Sequence, residues 1–541
     1  MNKFFTFFIA FSFTSCVFVE KYNAHIKEEI SADDLKKDVD QAKKRLLTKH
    51  VDIDLYHSKQ VIENRLDSFK NSISSPMKPN DFSRELSKVV SSFGHGHTVV
   101  FGLSRRMTKE ERKKFKNSKD PFSLMELKSF DNHLYIDNTF SKDSTLPKNT
   151  EIVAINGVKY KDVYDENRDY RKADGYITTL DKYIQVSPFV RKIKNDFGPQ
   201  DSIAITFKKN DSVYTQILKR EYTKRHVKTN GVGVKKDSIS KNKTQKPVVV
   251  KLTKERKNCK KQLNQHKVDV KKYFAYNKAI NDYQRKLIFP DKNDSTTVIL
   301  QVKSFAIGHG KKAYPFIFDS ILKLNVKNLI LDVRNNGGGF ATDANYLYSF
   351  LTKNNYPQMV MADEMKVNSR FSVTKNHIKS SGLIGNTLGL PFALYNYART
   401  TLRISKSKEG NYYYKFKNKR NLLNQPKKYE GNLYVLTNGM SYSATSVLSA
   451  ALQNEGKAVF VGEETGGDYN GTVAGSFEVY QLKYSKIGIN YGLLDFKPNT
   501  SRQLKGRGII PNVPIDMRFE DIMHKKDPQL DWILNDIKAN K

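Results

Sequence analysis

At 541 residues the chain is too long for one hydrophobic core, which excludes a single small domain and implies two or three. It carries 93 Lys+Arg against 56 Asp+Glu, a net charge of +37, yet Lys224 to Lys286 alone holds 20 basic and 4 acidic side chains. The excess is thus concentrated in one segment, and nucleic acid is not expected as the partner. Two cysteines, Cys16 and Cys259, exclude a disulfide framework.

The chain opens on a leader, residues 1–16: Lys3 supplies positive charge, Phe4 to Phe13 an apolar run, and Thr14 and Ser15 are small residues before Cys16. That is the pattern of a signal peptide, too short to span a bilayer. The small pair before a cysteine resembles a bacterial lipoprotein cleavage site, with Phe13 where such sites usually carry Leu. The resemblance implies a lipid anchor on Cys16 and a place in the bacterial cell envelope; a periplasmic or secreted protein is the alternative.

From Ser31 to Phe93, apolar residues such as Leu46, Leu47, Val61, Ile62, Leu66 and Phe69 recur at three- and four-residue spacing, which predicts a helical domain over 17–100. Ser31 and Asp34 give a capping-box-like start. Pro76, Met77 and Pro79 interrupt the pattern, and Asp81 is expected to cap a further helix ending near Ser92. A glycine-histidine turn, GHGHT at Gly94 to Thr98, follows. Residues 101–223 turn to short alternating strands, with Asn156 and Gly157 closing a hairpin. Residues 224–294 read as a basic insertion or arm, with helix expected from Val268 to Leu287.

Over 295–541, apolar runs at Thr296 to Phe305, Asn328 to Val333 and Asn432 to Asn438 read as buried strands. A helix-compatible Ala444 to Gln453 and a further strand in KAVFVGEE come after them, and strand, turn, helix, strand implies a parallel α/β layer.

Two turns in that layer carry chemistry: LDVRNNGGGF, Leu331 to Phe340, and VLTNGMSYSATSVLSAALQ, Val435 to Gln453. A serine at the start of a helix lies beside backbone N–H groups that the first turn cannot use, and glycines let a backbone approach a substrate. Both segments resemble those of the tail-specific and tricorn serine peptidases, in which an Asp-x-Arg-x-Asn-x-Gly-Gly turn precedes a serine turn. Asp332, Arg334, Asn336, Gly338 and Gly339 match the first, and Ser443, Ala444 and Thr445 match the Ser-Ala-Ser core of the second.

The resemblance implies an α/β multidomain chain: an N-terminal helical bundle, a PDZ-like β-rich domain around Leu146 to Tyr160, and a crotonase-like α/β catalytic domain. It also implies Ser443 as nucleophile, with Ser441 and Ser446 as neighbours, and an oxyanion hole from Ala444 with Gly337 or Gly338.

The family divides into Ser-Lys and Ser-His chemistries. Where the lysine type carries its base, 25 residues after the nucleophile, this chain has Asp468. SSFGHGHT, Ser91 to Thr98, resembles the histidine-bearing segment of the tricorn-like branch, which makes His97 the base, with an ordinary pKa of about 6.5. His95, two residues away, is the weaker candidate and points to the opposite side of an extended turn. HGH lacks the spacing of a zinc helix motif, so no metal and no cofactor is expected.

The residue that orients His97 stays open among Glu463, Glu464 and Asp468, because Asn512 stands where relatives tend to have Asp. The expected function is an exported serine peptidase forming an acyl-enzyme on polypeptides, unfolded or held by their chain ends. The alternatives are a catalytically weak envelope-anchored peptide-binding scaffold, or a protein whose main role is docking through its basic arm to nucleic acid or anionic envelope polymers.

Overall fold

The computed structural model describes residues 19–142, 146–167, 169–170, 173–222, 254–278, 280–353, 360–373, 390–416 and 427–540. The leader with Cys16, and residues 223–253 of the basic segment, lie outside them. No helix among the described residues is long and apolar enough to cross a membrane.

Three helices follow Ser31: Ala32–Lys49, Lys59–Ser72 and Pro79–Ser91. The Ser31 side chain accepts the Asp34 N–H at 3.2 Å and caps the first. Leu35, Val39, Ala42, Leu46, Ile62 and Leu66 are buried, the stripe that helical spacing produces. The third helix starts two residues before the expected cap Asp81. Pro79 takes the first helical position, where its missing N–H is no loss, and Asp81 sits in the first turn, 3.2 Å from Arg84.

A six-stranded antiparallel sheet comes next, with five strands in the order Met125–Phe130, His133–Thr139, Glu151–Ile155, Ser202–Lys209, Ser212–Lys219 and the short Val158–Lys159 paired to Glu151–Ile155 off that path. Asn156 and Gly157, at φ 52° and 79°, link Glu151–Ile155 to Val158–Lys159 with the two positive φ values that a tight hairpin requires. Tyr160, Val163, Phe189 and Ile193 from two helices share a core with Ile152, Ile203 and Phe207 of the sheet.

The basic segment differs from expectation. Its helix is Lys254–Tyr273 rather than Val268 to Leu287, because Lys, Arg and Gln sustain a helix without any apolar periodicity. Ala275, at φ 54°, marks the break after it. Arg285–Ile288 is a strand paired antiparallel with Thr297–Val302, so the α/β layer begins before the expected boundary at 294. Arg285 is fully buried and ion-paired to Asp343 at 2.6 Å, which ties this strand to the layer.

The layer is a six-stranded sheet in the order Arg285–Ile288, Thr297–Val302, Asn328–Asp332, Asn432–Thr437, Ala458–Gly462, Val513–Pro514. All neighbours after the first pair are parallel. Leu329, Leu331, Leu433 and Val435 pack with Tyr314, Ile317, Leu347 and Leu448 of three helices. Ile330, Tyr434 and Leu436 pack with Ile533 and Ile537 of the last helix, Pro528–Ala539. This two-residue alternation buries both faces, which is why these strands read as continuous apolar runs.

The N-terminal helices share the larger of these cores. The strand directly after the histidine turn, Val99–Phe101, pairs with Gly488–Phe496 of a third six-stranded sheet, Val99 opposite Asn490. Asn490 Nδ2 also donates to the His97 carbonyl at 2.9 Å. Together these contacts bring the histidine turn to the α/β unit.

Candidate active site

The glycine and serine turns leave the carboxyl ends of two neighbouring parallel strands, where Asp332 is in register with Leu436. Crevices that bind ligands form at such ends. The turns are clamped together: Asn335 N–H donates to Asn438 Oδ1 at 2.9 Å, Asn438 Nδ2 to Asn335 Oδ1 at 3.1 Å, and Tyr442 N–H to the Asn336 carbonyl at 3.1 Å. Arg334 forks onto Asp527 with two 2.8 Å bonds and reaches Asp332 at 3.0 Å, fixing the glycine turn to the cap of the last helix. Asp332, Arg334 and Asn336 therefore build the site without facing it.

The three serines of the second turn are separated by their hydrogen bonds. Ser441 Oγ donates to the Val333 carbonyl at 2.8 Å, and Ser446 Oγ to the Ser441 carbonyl at 3.1 Å; both are buried. Ser443 Oγ makes no hydrogen bond among the described residues. Ser443 has φ 59° and ψ −123° at the N-cap of helix Ala444–Asn454. A serine held in this conformation costs about 1–3 kcal/mol, sustained here by the clamped turns. It opens on a cavity of about 230 Å³ lined by Phe340, Phe416, Ala474, Leu494 and Phe496.

Gly338 packs directly against this serine: a Cβ there would lie 2.8 Å from Ser443 Cβ and 2.9 Å from Ala444 N. The Gly338 N–H is engaged by Asn336 Oδ1 at 3.0 Å, whereas Ala444 and Gly337 have no N–H partner among the described residues. Of the three expected donors, Gly337 and Ala444 are therefore the pair left open.

The two histidines face opposite ways. His95 Nε2 bonds the Ile53 carbonyl at 3.0 Å, and its ring packs on His50 and Tyr56, 4.4 and 5.2 Å between centroids, inside the helical unit. The His97 ring lies 4.8 Å from that of Tyr442, the residue before Ser443, and 5.4 Å from Phe477. Its Nε2 is buried without a partner, and burial lowers its pKa to about 4, so the imidazole is neutral and able to accept a proton at pH 7. No hydrogen bond joins His97 to Ser443 among the described residues; such bonds often close only when substrate is present.

None of the carboxylates weighed as its orienting partner touches His97. Glu463 accepts from the Tyr183 hydroxyl at 2.7 Å, Glu464 pairs with Arg507 at 2.7 Å, and Asp468 accepts from Tyr56 at 2.9 Å and from Gly506 N–H at 2.8 Å. Asn512 is spent on the Phe460 N–H at 2.9 Å. Lys457 is at the amino end of strand Ala458–Gly462, away from the turns, and donates to the Tyr429 carbonyl. The carboxylate that joins the histidine turn to the serine turn is Asp174, bonded to Gly96 N–H and the Tyr442 hydroxyl, and the sequence carries no local signal for it. No group of His, Cys, Asp and Glu among the described residues is arranged to hold a metal ion.

Residues 296–515 match the model of peptidase family S41. No curated protein matches the chain. Among solved structures it is similar to mature CPAF complexed with lactacystin, at 12% identity and a TM-score of 0.51, over 94% of this chain and 98% of that one. It is also similar to the photosystem II D1 C-terminal processing protease, at 12% identity and a TM-score of 0.39, over 91% and 96%. At 12% identity the likeness to CPAF is one of fold.

Proposed function

We propose that this chain, whose residues 296–515 match the model of peptidase family S41, is an exported serine peptidase that cleaves polypeptides through an acyl-enzyme on Ser443, with His97 as general base. The observation that carries the reading is the division of labour among the serines. Ser441 and Ser446 are tied to backbone carbonyls, while Ser443 stands at a helix N-terminus beside a cavity and next to the residue that packs on His97.

In this reading His97 takes the Ser443 Oγ proton as the oxygen adds to the scissile carbonyl carbon. The resulting oxyanion is held by the N–H groups of Ala444 and Gly337. Collapse breaks the C–N bond, and the leaving amine takes the proton from His97. Water then adds to the acyl ester with His97 again as base, releasing the new carboxyl end and restoring Ser443. The apolar cavity accepts an apolar side chain beside the scissile bond. The exposed edge strand Ser212–Lys219 of the PDZ-like sheet accepts an extended chain end by strand addition.

The test is hydrolysis of an unfolded protein by the mature chain and by Ser443→Ala, His97→Ala and Lys457→Ala. Loss in the first two with retention in the third is the expected result. Retention in His97→Ala removes the base assignment. The second reading, a catalytically weak peptide-binding scaffold, draws on the lack of any carboxylate bonded to His97 among the described residues. It takes over if the wild type neither cleaves nor labels with a fluorophosphonate. Envelope anchoring is checked separately by mass spectrometry of the mature N-terminus, where acylated Cys16 supports it and an unmodified chain opposes it.

A further inference from the structure

The histidine turn and the serine turn come from parts of the chain more than three hundred residues apart, and a third segment lies between them. Residues 173–177 follow the helix Tyr160–Asn167, in the stretch assigned to the PDZ-like unit. Gly175 N–H donates to the Gly94 carbonyl at 2.7 Å, Asp174 N–H to the Gly466 carbonyl at 3.1 Å, and Tyr176 N–H to the Gly506 carbonyl at 2.9 Å. A Cβ on Gly175 would meet Gly506 Cα at 2.3 Å, so the segment is wedged without slack. Ala173 and Ile177 share a small apolar cluster with Tyr442.

At the centre of the wedge is Asp174, 1% exposed. Its Oδ1 accepts two hydrogen bonds, from the Gly96 N–H at 2.9 Å and from the Tyr442 hydroxyl at 3.2 Å. Gly96 immediately precedes His97. Tyr442 immediately precedes Ser443 and lays its ring on the His97 imidazole. One carboxyl oxygen thus sets both the backbone that carries the base and the ring that bounds it.

Resting on the reading of Ser443 and His97 as nucleophile and base, we propose that Asp174 is a positioning residue: it fixes the His97 turn against the Ser443 turn through Gly96 and Tyr442, and it is supplied by the PDZ-like unit. It touches neither the imidazole nor the reacting atoms. It does the work that a carboxylate on the imidazole would otherwise do, holding the ring in place from behind rather than by bonding its Nδ1. Burial of an ionisable group at this point is costly, and burial raises its pKa to about 7. A buried carboxyl bridging two catalytic turns matches a requirement for geometry better than one for stability.

The experiment compares Asp174→Ala, Asp174→Asn and Tyr442→Phe with His97→Ala and wild type. It reads kcat and KM on a fluorogenic peptide, the labelling rate of Ser443 by a fluorophosphonate, and thermal unfolding. A base displaced by an ångström or less costs about 10²-fold in rate. Asp174→Ala is therefore expected to lower kcat and labelling about 100-fold with KM within about threefold of wild type. Tyr442→Phe, which removes one of the two donors, is expected to lower kcat about tenfold. Asp174→Asn keeps an acceptor oxygen and is expected to recover activity to within about tenfold of wild type.

Folded Asp174→Ala with kcat within threefold of wild type overturns the proposal, as does a loss that Asp174→Asn does not relieve. If Asp174→Ala fails to fold, Tyr442→Phe decides, and unchanged kcat there overturns it. Full activity in His97→Ala would instead sink the base assignment beneath it, so the two failures are distinct.

Discussion

Gly338→Ala tests how tightly the two turns must meet. The new Cβ would lie 2.7 Å from the Tyr442 carbonyl oxygen, 2.8 Å from Ser443 Cβ and 2.9 Å from Ala444 N, where ordinary contact begins near 3.4 Å. The first and last neighbours are backbone, so the turns must part by roughly half an ångström or more rather than rotate a side chain aside. Gly338 also sits at φ 93°, which costs an L-residue about 1–2 kcal/mol. Overpacking adds about 1–3 kcal/mol. Because Ser443 and the Ala444 N–H are the atoms displaced, kcat should fall about 10- to 100-fold.

Gly456→Ala is the control. It has φ 61° and nothing within 4 Å of the new Cβ, so it carries backbone strain without contact, far from the turns. Fluorophosphonate labelling, peptide hydrolysis and thermal unfolding on both variants separate the two effects. If Gly338→Ala matches Gly456→Ala in both labelling and hydrolysis, the close approach of the turns has no catalytic meaning.

Three further outcomes follow from other contacts. Burial holds the His97 pKa at about 4 and so keeps it neutral across the physiological range. The acid limb of kcat/KM should accordingly fall near pH 4 to 5; a limb at about 6.5, the value of a solvated imidazole, would contradict that environment.

Asp174 has its pKa raised from 3.8 to about 7, so the folded state holds this proton more tightly than the unfolded state. The associated stability is full below about 3.8 and is lost as pH rises to about 7, a change of ~4 kcal/mol. Asp174→Asn lacks that term, so its urea midpoint should gain on wild type between pH 4 and 8. Parallel profiles would refute the buried, strained carboxyl.

Arg334→Ala strands Asp332 and Asp527 around an empty position and should cost about 3–5 kcal/mol in urea unfolding. A loss below about 1 kcal/mol would mean that the fork is ornamental.

The strands of the α/β layer were legible because burial on both faces leaves an unbroken apolar run, as in Asn328–Asp332. The hairpin at Asn156 and Gly157 was legible because few residue pairs accept two positive φ values. The helix Lys254–Tyr273 was not, since its Lys-rich surface shows no periodicity and only intrinsic propensity marks it.

Within the candidate site, Ser443 and His97 were singled out by the resemblance of their turns to those of the tail-specific and tricorn peptidases. Choosing among Ser441, Ser443 and Ser446 on physical grounds needs hydrogen bonds that no spacing encodes. Asp174 was invisible for the same reason. It meets Gly96 and Tyr442 across 78 and 268 positions of sequence, and nothing in the local ADGYI pattern distinguishes it from a turn aspartate.

The central assignment is tested most directly by locating a fluorophosphonate adduct by mass spectrometry in wild type, His97→Ala and Ser443→Ala. The expected result is a single adduct on Ser443, labelling slowed by at least about 10²-fold in His97→Ala and abolished in Ser443→Ala. An adduct on another serine, or unchanged labelling without His97, would contradict the Ser443–His97 peptidase.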